Sequence, residues 1–230
     1  MITYIIPAMN EEATIGGVID SIREIDKEGE IIVVDSDSTD RTAEIARSKG
    51  AIVVNEKIKG YGYAYKRGFM AAKGDIICTL DGDGTYPGSN IPLLLDALKK
   101  GADFVSGERL SGVSKEAMSS MHMVGNIILN LVCRVLFMVD IKDSQSGMWL
   151  FKREVLPKIL PIGTGMEFSE EIKIRAAVQF CYVEIPITYQ RRMGEKKLKP
   201  WKDGIRNLLF LFKLRAISGL RTSRFRCSLF

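Results

Sequence analysis

The chain has 230 residues, 46% hydrophobic and 27% charged, which excludes a disordered, collagenous or polytopic protein and leaves enough chain for one elaborated α/β domain. Four well-separated cysteines (Cys78, Cys133, Cys181, Cys227) without a C-x-x-C pair argue against a zinc ribbon or disulfide scaffold and favour reduced thiols, and a single histidine, His122, excludes histidine metal clusters. The net charge of +5 is uneven: residues 191–230 carry 12 Lys/Arg against 2 Asp/Glu, and residues 1–190 carry 21 against 26, so the basic end points to a partner bearing phosphate, whether nucleic acid, anionic membrane surface or phosphorylated substrate.

The N-terminal MITYIIPAMNEE has no basic leader and Pro7 interrupts its apolar run, so no signal peptide is expected. Residues 2–6, 31–35, 51–54, 75–80 and 103–107 are short Ile/Val-rich runs without polar alternation, as in strands buried on both faces of a parallel sheet. Between the first two, Ile15, Val18, Ile19, Ile22 and Ile25 recur at helical spacing. Residues 39–49 form a second helix that ends before Gly50. The alternation predicts a doubly wound α/β sheet, whose ligands sit outside the carboxyl ends of the strands. Residues 115–139 are expected as a long helix, 148–152 as a strand, 167–180 as a helix and 182–190 as a strand. A basic loop over 191–202 and an amphipathic helix follow. No apolar stretch reaches membrane-spanning length. Residues 1–202 are taken as one domain and 203–230 as an amphipathic, basic appendage at a membrane surface.

Strand one is not followed by G-x-G-x-x-G, and no P-loop occurs; Gly60, Gly62 and Gly68 have neither the spacing nor the position of a dinucleotide fingerprint. The strongest local signal is Thr79-Leu80-Asp81-Gly82-Asp83-Gly84, an apolar strand ending in two carboxylates one residue apart. Close carboxylates repel unless a cation compensates them. A hard divalent ion, Mg2+ or Mn2+, takes one or two carboxylates and fills its shell with water and substrate phosphates. The alternative is a solvated Asp-Gly turn.

Together, Pro7-Ala-Met-Asn10-Glu11-Glu12, Val34-Asp35-Ser-Asp37-Ser38-Thr39-Asp40 and Asp81-Gly-Asp83 resemble, in that order, the inverting family-2 glycosyltransferases of GT-A fold. Gly107-Glu-Arg109, Asp143-Ser-Gln-Ser146-Gly147 and Arg191-Arg-Met-Gly194-Glu195-Lys-Lys197 are similar to the polyprenyl-phosphate (dolichyl-phosphate) sugar synthases within it. The resemblance covers roughly residues 1–202. It implies a Rossmann-like, mostly parallel sheet flanked by helices. Pro7 and Glu11 would line the nucleotide pocket, with Asp35 and Asp37 at the base. Asp81, Gly82 and Asp83 would flank the sugar nucleotide, Asp83 being the more direct metal ligand. Arg109, Arg191 and Lys197 would hold the donor diphosphate and acceptor phosphate, and Ser146 and Glu171 join Arg191 and Lys197 as acceptor-site candidates. Two positions depart from the family pattern: Ser36 replaces the second of two adjacent aspartates, and Thr85 stands where mannose synthases often carry a glutamine.

The chemistry agrees with this residue inventory. A lipid phosphate monoester, with its second pKa near about 6, is already an oxyanion at neutral pH, so its attack on the anomeric carbon needs no general base. The remaining work is electrostatic, with a metal, Arg and Lys holding two anionic partners in line. His122 is expected to be an ordinary helix residue. Glu167, Glu170 and Glu171 open a helix, where acids suit the dipole. Residues 123–139 and 205–217 fit core helices or interfacial helices, with Trp201, Phe210 and Phe212 beside the second. The expected activity is hexosyl transfer from a UDP- or GDP-linked sugar to polyprenyl phosphate at the cytosolic membrane face, without nucleic acid. Two alternatives stand: a family-2 enzyme with a hydroxyl acceptor, which needs a base such as Glu171, and a non-enzymatic basic module.

Overall fold

The computed structural model describes residues 1–111, 120–193, 200–217 and 219. Seven strands form one mixed sheet in the order β3-β2-β1-β4-β6-β5-β7. β1 (Ile2–Ala8), β2 (Glu30–Asp35), β3 (Ile52–Asn55) and β4 (Ile76–Thr79) run parallel. β6 (Trp149–Lys152) lies antiparallel between β4 and β5 (Phe104–Glu108), and β7 (Tyr182–Pro186) pairs parallel with β5. All seven expected strands form. The last stops at Pro186 rather than residue 190 because the chain then leaves the sheet: Thr188 N–H donates to Asn90 Oδ1 at 3.1 Å and Gln190 N–H to the Thr85 carbonyl at 2.9 Å.

The helices are α1 (Ile15–Ile25), α2 (Thr42–Ser48), α3 (Tyr61–Ala71), α4 (Ile91–Lys99), α5 (Ser120–Phe137), α6 (Leu156–Ile159), α7 (Glu167–Gln179) and α8 (Pro200–Ile217). In α1, Ile15, Val18, Ile19 and Ile22 are buried, the apolar stripe read from their spacing. α2 starts later than expected because residues 39–41 are spent on a loop-to-loop contact. Thr39 N–H donates to Asn10 Oδ1, Arg41 N–H to Glu12 Oε2, and Glu12 N–H to Asp40 Oδ2. α3 carries Gly62 and Gly68, which weaken intrinsic helix propensity, and packing holds it instead. Gly68 lets the helix axis approach β1 and β2, where Ile5 and Val34 lie beneath it.

One core cluster joins Tyr4, Ile6, Ile31 and Val33 to α1 and α4 on one sheet face. A second joins Ile5, Ile32 and Phe104 to α3 and α7 on the other. A third lies among α5, α7 and α8 around Cys133, Phe137, Leu211 and Leu214. The boundary expected after residue 202 therefore falls inside α8, a helix packed on α5 and α7. Cys78 and Cys133 are free and buried. Among the described residues no helix is long and apolar enough to cross a membrane.

A methyl group at Gly68 would sit 2.4 Å from Ile5 Cγ2 and 3.1 Å from Val34 Cγ2. Gly68→Ala is expected to cost about 1–3 kcal/mol through overpacking, despite its better helix propensity; denaturant unfolding at a constant m-value measures it.

Candidate functional site

The loops that leave β1, β2 and β4 meet at one end of the sheet. Pro7, paired with Val34 in the parallel register, is partly buried. Asn10 adopts φ +52° and receives Thr39 N–H at 2.8 Å, while its own N–H donates to Ser38 Oγ at 2.9 Å. Asn tolerates this left-handed conformation better than most residues. Glu11 is buried, and its N–H donates to Thr42 Oγ1 at 2.8 Å. Asp35 closes β2 with its carboxylate buried and Oδ1 lacking any partner. Asp37 lies beyond it, exposed, at φ +61°.

The β4 loop carries the acidic pair. A Cβ at Gly82 would lie 3.1 Å from the Pro7 carbonyl and 3.3 Å from Ala8 Cβ, so glycine lets the loop lie against β1. Thr14 Oγ1 fixes the same residue by donating to the Gly82 carbonyl at 2.7 Å. Asp83 is 7% exposed. Its Oδ1 accepts from Thr85 N–H at 3.1 Å and Thr85 Oγ1 at 2.7 Å, and its Oδ2 pairs with Arg192 Nη1 at 2.9 Å. The threonine that departs from the family pattern thus holds Asp83. Asp81 accepts from Tyr61 Oη at 3.2 Å. Burial and the Asp83 charge push the Asp81 carboxyl up to about 7, although Arg109, Tyr61 and Arg192 pull it down. Against Asp81 lies Gly147, where a Cβ would meet the two carboxylate oxygens at 2.9 and 3.0 Å.

Residues of the second half supply the positive charge. Arg109 is buried and makes a two-pronged pair with Asp143, Nε to Oδ2 at 2.7 Å and Nη2 to Oδ1 at 2.8 Å. Its guanidinium also lies 5.1 Å from the Tyr189 ring centre. Arg109 and its hydrogen bonds hold the Asp143 carboxyl below its usual range against the opposing effect of burial. Arg191 is exposed. Its neighbour Arg192 enters the site, with Nη2 2.6 Å from Glu11 Oε1 and Nη1 on Asp83. Lys197 lies outside the described residues, as do the basic tail positions Arg221, Arg224 and Arg226 and the Trp201 side chain.

Ser146 is buried and serves through its carbonyl, which accepts from Trp149 Nε1, Ser169 Oγ and Lys173 Nζ at 2.6, 2.9 and 2.7 Å. Lys173 is fully buried and donates as well to the Asp143 and Ser144 carbonyls at 2.9 Å. Burial pulls its ammonium below the usual lysine range, while Asp143 acts in the other direction. A lysine inside a helix gives no sequence signal for this role. Glu171 is fully buried and spent on its own chain. Oε1 accepts from Ile162 N–H and Arg175 Nε at 3.1 and 2.7 Å, and Oε2 from Gly163 N–H at 2.9 Å. Glu170 receives Gln145 Nε2 at 2.9 Å, and burial pushes its carboxyl well up. The structure links Glu11, Asp83 and Arg192 through ion pairs and sets Tyr61 and the buried Arg109 to act on Asp81, whereas Glu171 is engaged by residues 162–163 and Arg175 and Arg191 is exposed.

The donor set fits a hard divalent cation: two close carboxylates that repel, one with its pKa raised to about 7. Asp83 and Asp81 would hold it. Among the described residues no group of three or more His, Cys, Asp or Glu side chains could cage an ion alone.

The acidic strand ends and this sheet order agree with the GT-A fold expected from the sequence. The chain matches the family description "Glycosyl transferase family 2" over residues 3–160 and belongs to that family. It is 37% identical over 198 residues to "Dolichyl-phosphate hexose transferase" of Haloferax volcanii, covering 85% of each chain. It is also 37% identical over 218 residues to the "Low-salt glycan biosynthesis hexosyltransferase Agl6" of the same organism, covering 91% of this chain and 52% of that one. The chain thus spans about half the length of that relative. "Dolichol-phosphate mannosyltransferase" of Pyrococcus furiosus is 34% identical, with 74% and 51% covered. Among solved structures, glucosyl-3-phosphoglycerate synthase of Mycobacterium tuberculosis bound to Mn2+, uridine diphosphate and glucosyl-3-phosphoglycerate superposes with a TM-score of 0.76 at 24% identity, covering 94% of this chain and 79% of that one. That likeness shows the fold.

The raised Asp81 pKa has a stability consequence. The unfolded carboxyl ionises near about 4, so without metal the folded state loses stability as pH rises from there to about 7 and holds level above. Asp81→Asn removes that cost. Its Tm is expected to match the parent at pH 4 and to exceed it at pH 8, by roughly 2–4 °C for each kcal/mol relieved; metal-free thermal melts across that range measure the difference.

Proposed function

We propose that this enzyme transfers a hexosyl residue from a nucleotide sugar to a polyprenyl (dolichyl) phosphate, with inversion, and so makes a lipid-phosphate-sugar donor for glycan assembly. The carrying observation is the state of the acidic face of α7. Glu171 is engaged on both oxygens by its own chain, and Glu170 is buried with a raised pKa. Glu171 is therefore not free to act as the base a hydroxyl acceptor requires, whereas a phosphate monoester arrives already ionised. The names of the Haloferax and Pyrococcus relatives support the same acceptor.

The residues divide the work as follows. Asp35, with its unpartnered buried Oδ1, awaits an N–H donor, and a nucleobase imide or amide edge provides one. Asp37 and Pro7 border that pocket. Asp83 and Asp81 hold the divalent cation, which when bound offsets the charge developing on the departing nucleoside diphosphate. Glu11 positions Arg192 at the rim. Arg109, fixed by Asp143, adds a preorganised positive field that acts on Asp81. Arg191 and Lys197 are assigned to the donor diphosphate and the acceptor phosphate, and the Ser146 loop borders the acceptor.

A lipid acceptor requires access to a bilayer surface. α5 exposes Val124, Ile128, Leu131 and Val135, at helical spacing, and α8 exposes Ile205, Leu209 and Phe212. The two helices pack on each other, and α8 adds Lys213 and Arg215. An apolar stripe with flanking cations is the composition of an interfacial helix. We assign this face to the cytosolic side of a membrane, with the protein peripheral.

Asp83→Asn is expected to lower metal-dependent transfer by about 10²-fold or more with the circular dichroism spectrum unchanged. Labelled UDP- and GDP-sugars incubated with polyprenyl phosphate and Mg2+ or Mn2+, then extracted into organic solvent, give the activity. Transfer that persists in excess chelator overturns the metal assignment, and label found only in water-soluble glycan overturns the acceptor. In flotation with vesicles of anionic lipid, the double variant Val135→Glu, Leu209→Glu is expected to lose most of the membrane-bound fraction while keeping its thermal transition; unchanged flotation rejects the docking face.

A further inference from the structure

We infer that Arg192 is the counter-cation of Asp83, and that a divalent cation reaches Asp83 only by displacing it. The inference rests on the reading above that Asp83 binds the metal. Among the described residues both oxygens of Asp83 are engaged: Oδ1 by Thr85 N–H and Oγ1, and Oδ2 by Arg192 Nη1 at 2.9 Å. The Thr85 contacts belong to the same loop and help define the pose of the carboxylate. The oxygen available for exchange is therefore Oδ2. A guanidinium and a doubly charged ion cannot share one carboxylate oxygen at contact distance without strong repulsion.

The guanidinium is delivered from outside the acidic loop yet held in register with it. Asn90 brackets Thr188, donating from Nδ2 to its carbonyl at 2.9 Å and accepting its N–H at 3.1 Å. Gln190 N–H then donates to the Thr85 carbonyl at 2.9 Å. Two residues later Arg192 reaches across to Glu11 Oε1 at 2.6 Å and ties the β1 loop to the β4 loop. Its Nε–H is buried with no acceptor. A buried donor left open in this way calls for an acceptor, and an anionic ligand brought in with the metal provides one. Arg192 therefore neutralises Asp83 and is released toward the incoming anion when the metal takes the carboxylate. In this arrangement the metal alone binds weakly, because it must break an ion pair to enter.

The test is Mn2+ binding to the full chain, followed by electron paramagnetic resonance of the free ion, first with Mn2+ alone and then with uridine diphosphate added. Arg192→Gln is expected to bind Mn2+ alone about tenfold more tightly than the parent, the scale of one charge-assisted hydrogen-bonded contact. Glu11→Gln, which leaves Asp83 and Arg192 in place but loosens the anchor of the guanidinium, is expected to move affinity in the same direction by a smaller factor. It serves as the readout if Arg192→Gln does not fold. Equal or weaker Mn2+ affinity in the folded variants overturns the inference while leaving the metal site standing. No Mn2+ binding by any of the proteins, with or without nucleotide, overturns the metal reading and this inference with it.

Discussion

Repulsion between Asp81 and Asp83 is the constraint around which the active end of the molecule is arranged. Two carboxylates at the end of a buried strand, one raised to about 7 by burial and by its neighbour, are tolerable only where compensation is close. The protein supplies it from three parts of the chain. Arg192 pairs directly with Asp83, Tyr61 of α3 donates to Asp81, and Arg109 at the end of β5 acts through its field. Each is partial, which leaves a site neutral enough to fold and acidic enough to hold a divalent ion.

Such a site also needs a rigid wall, and a buried lysine provides it. The segment from Asp143 to Gly147 crosses the sheet end with its carbonyls turned inward. Lys173 gathers three of them, and Trp149 and Ser169 share the Ser146 carbonyl. The same segment receives Arg109 on the Asp143 carboxylate and brings Gly147 against Asp81. Side-chain charge at the interior is thus used to position backbone. Asn207 of α8 donates to Gln145 at 3.1 Å and Gln145 to Glu170 at 2.9 Å, so the apolar face of α5 and α8 is joined through hydrogen bonds to the segment that borders Asp81.

The strands were legible because burial on both faces leaves a run of Ile and Val that needs no partner to be recognised. The α1 stripe was legible because helical spacing is local. α3 was not, since Gly62 and Gly68 are poor helix formers and earn their place by close approach to Thr164 and Ile5, contacts set by distant parts of the chain. At the site, Asp81 and Asp83 were legible as a close acidic pair at a strand end, where this class of sheet collects ligand contacts, and Glu11 and Asp35 through the family resemblance. Within the Arg191–Arg192 pair sequence offered no means of choice. Backbone pairing of Gln190 with Thr85 turns Arg192 inward and leaves its neighbour in solvent. Glu171 shows the converse. An acid near a helix start suits a base as well as a loop clamp, and the fold makes it the clamp for residues 162–163.

By itself, the sequence determined the alternation of buried strands and helices, the acidic character of the strand ends and the basic character of the C-terminal block, because these follow from local pattern and residue type. Tertiary structure alone decided which arginine meets Asp83, that Arg109 is neutralised by Asp143, and that Lys173 is a structural fastener. Those outcomes depend on the separation of charges brought together from distant positions under partial burial, where an ångström of placement determines whether a side chain is a ligand, a counter-ion or a support.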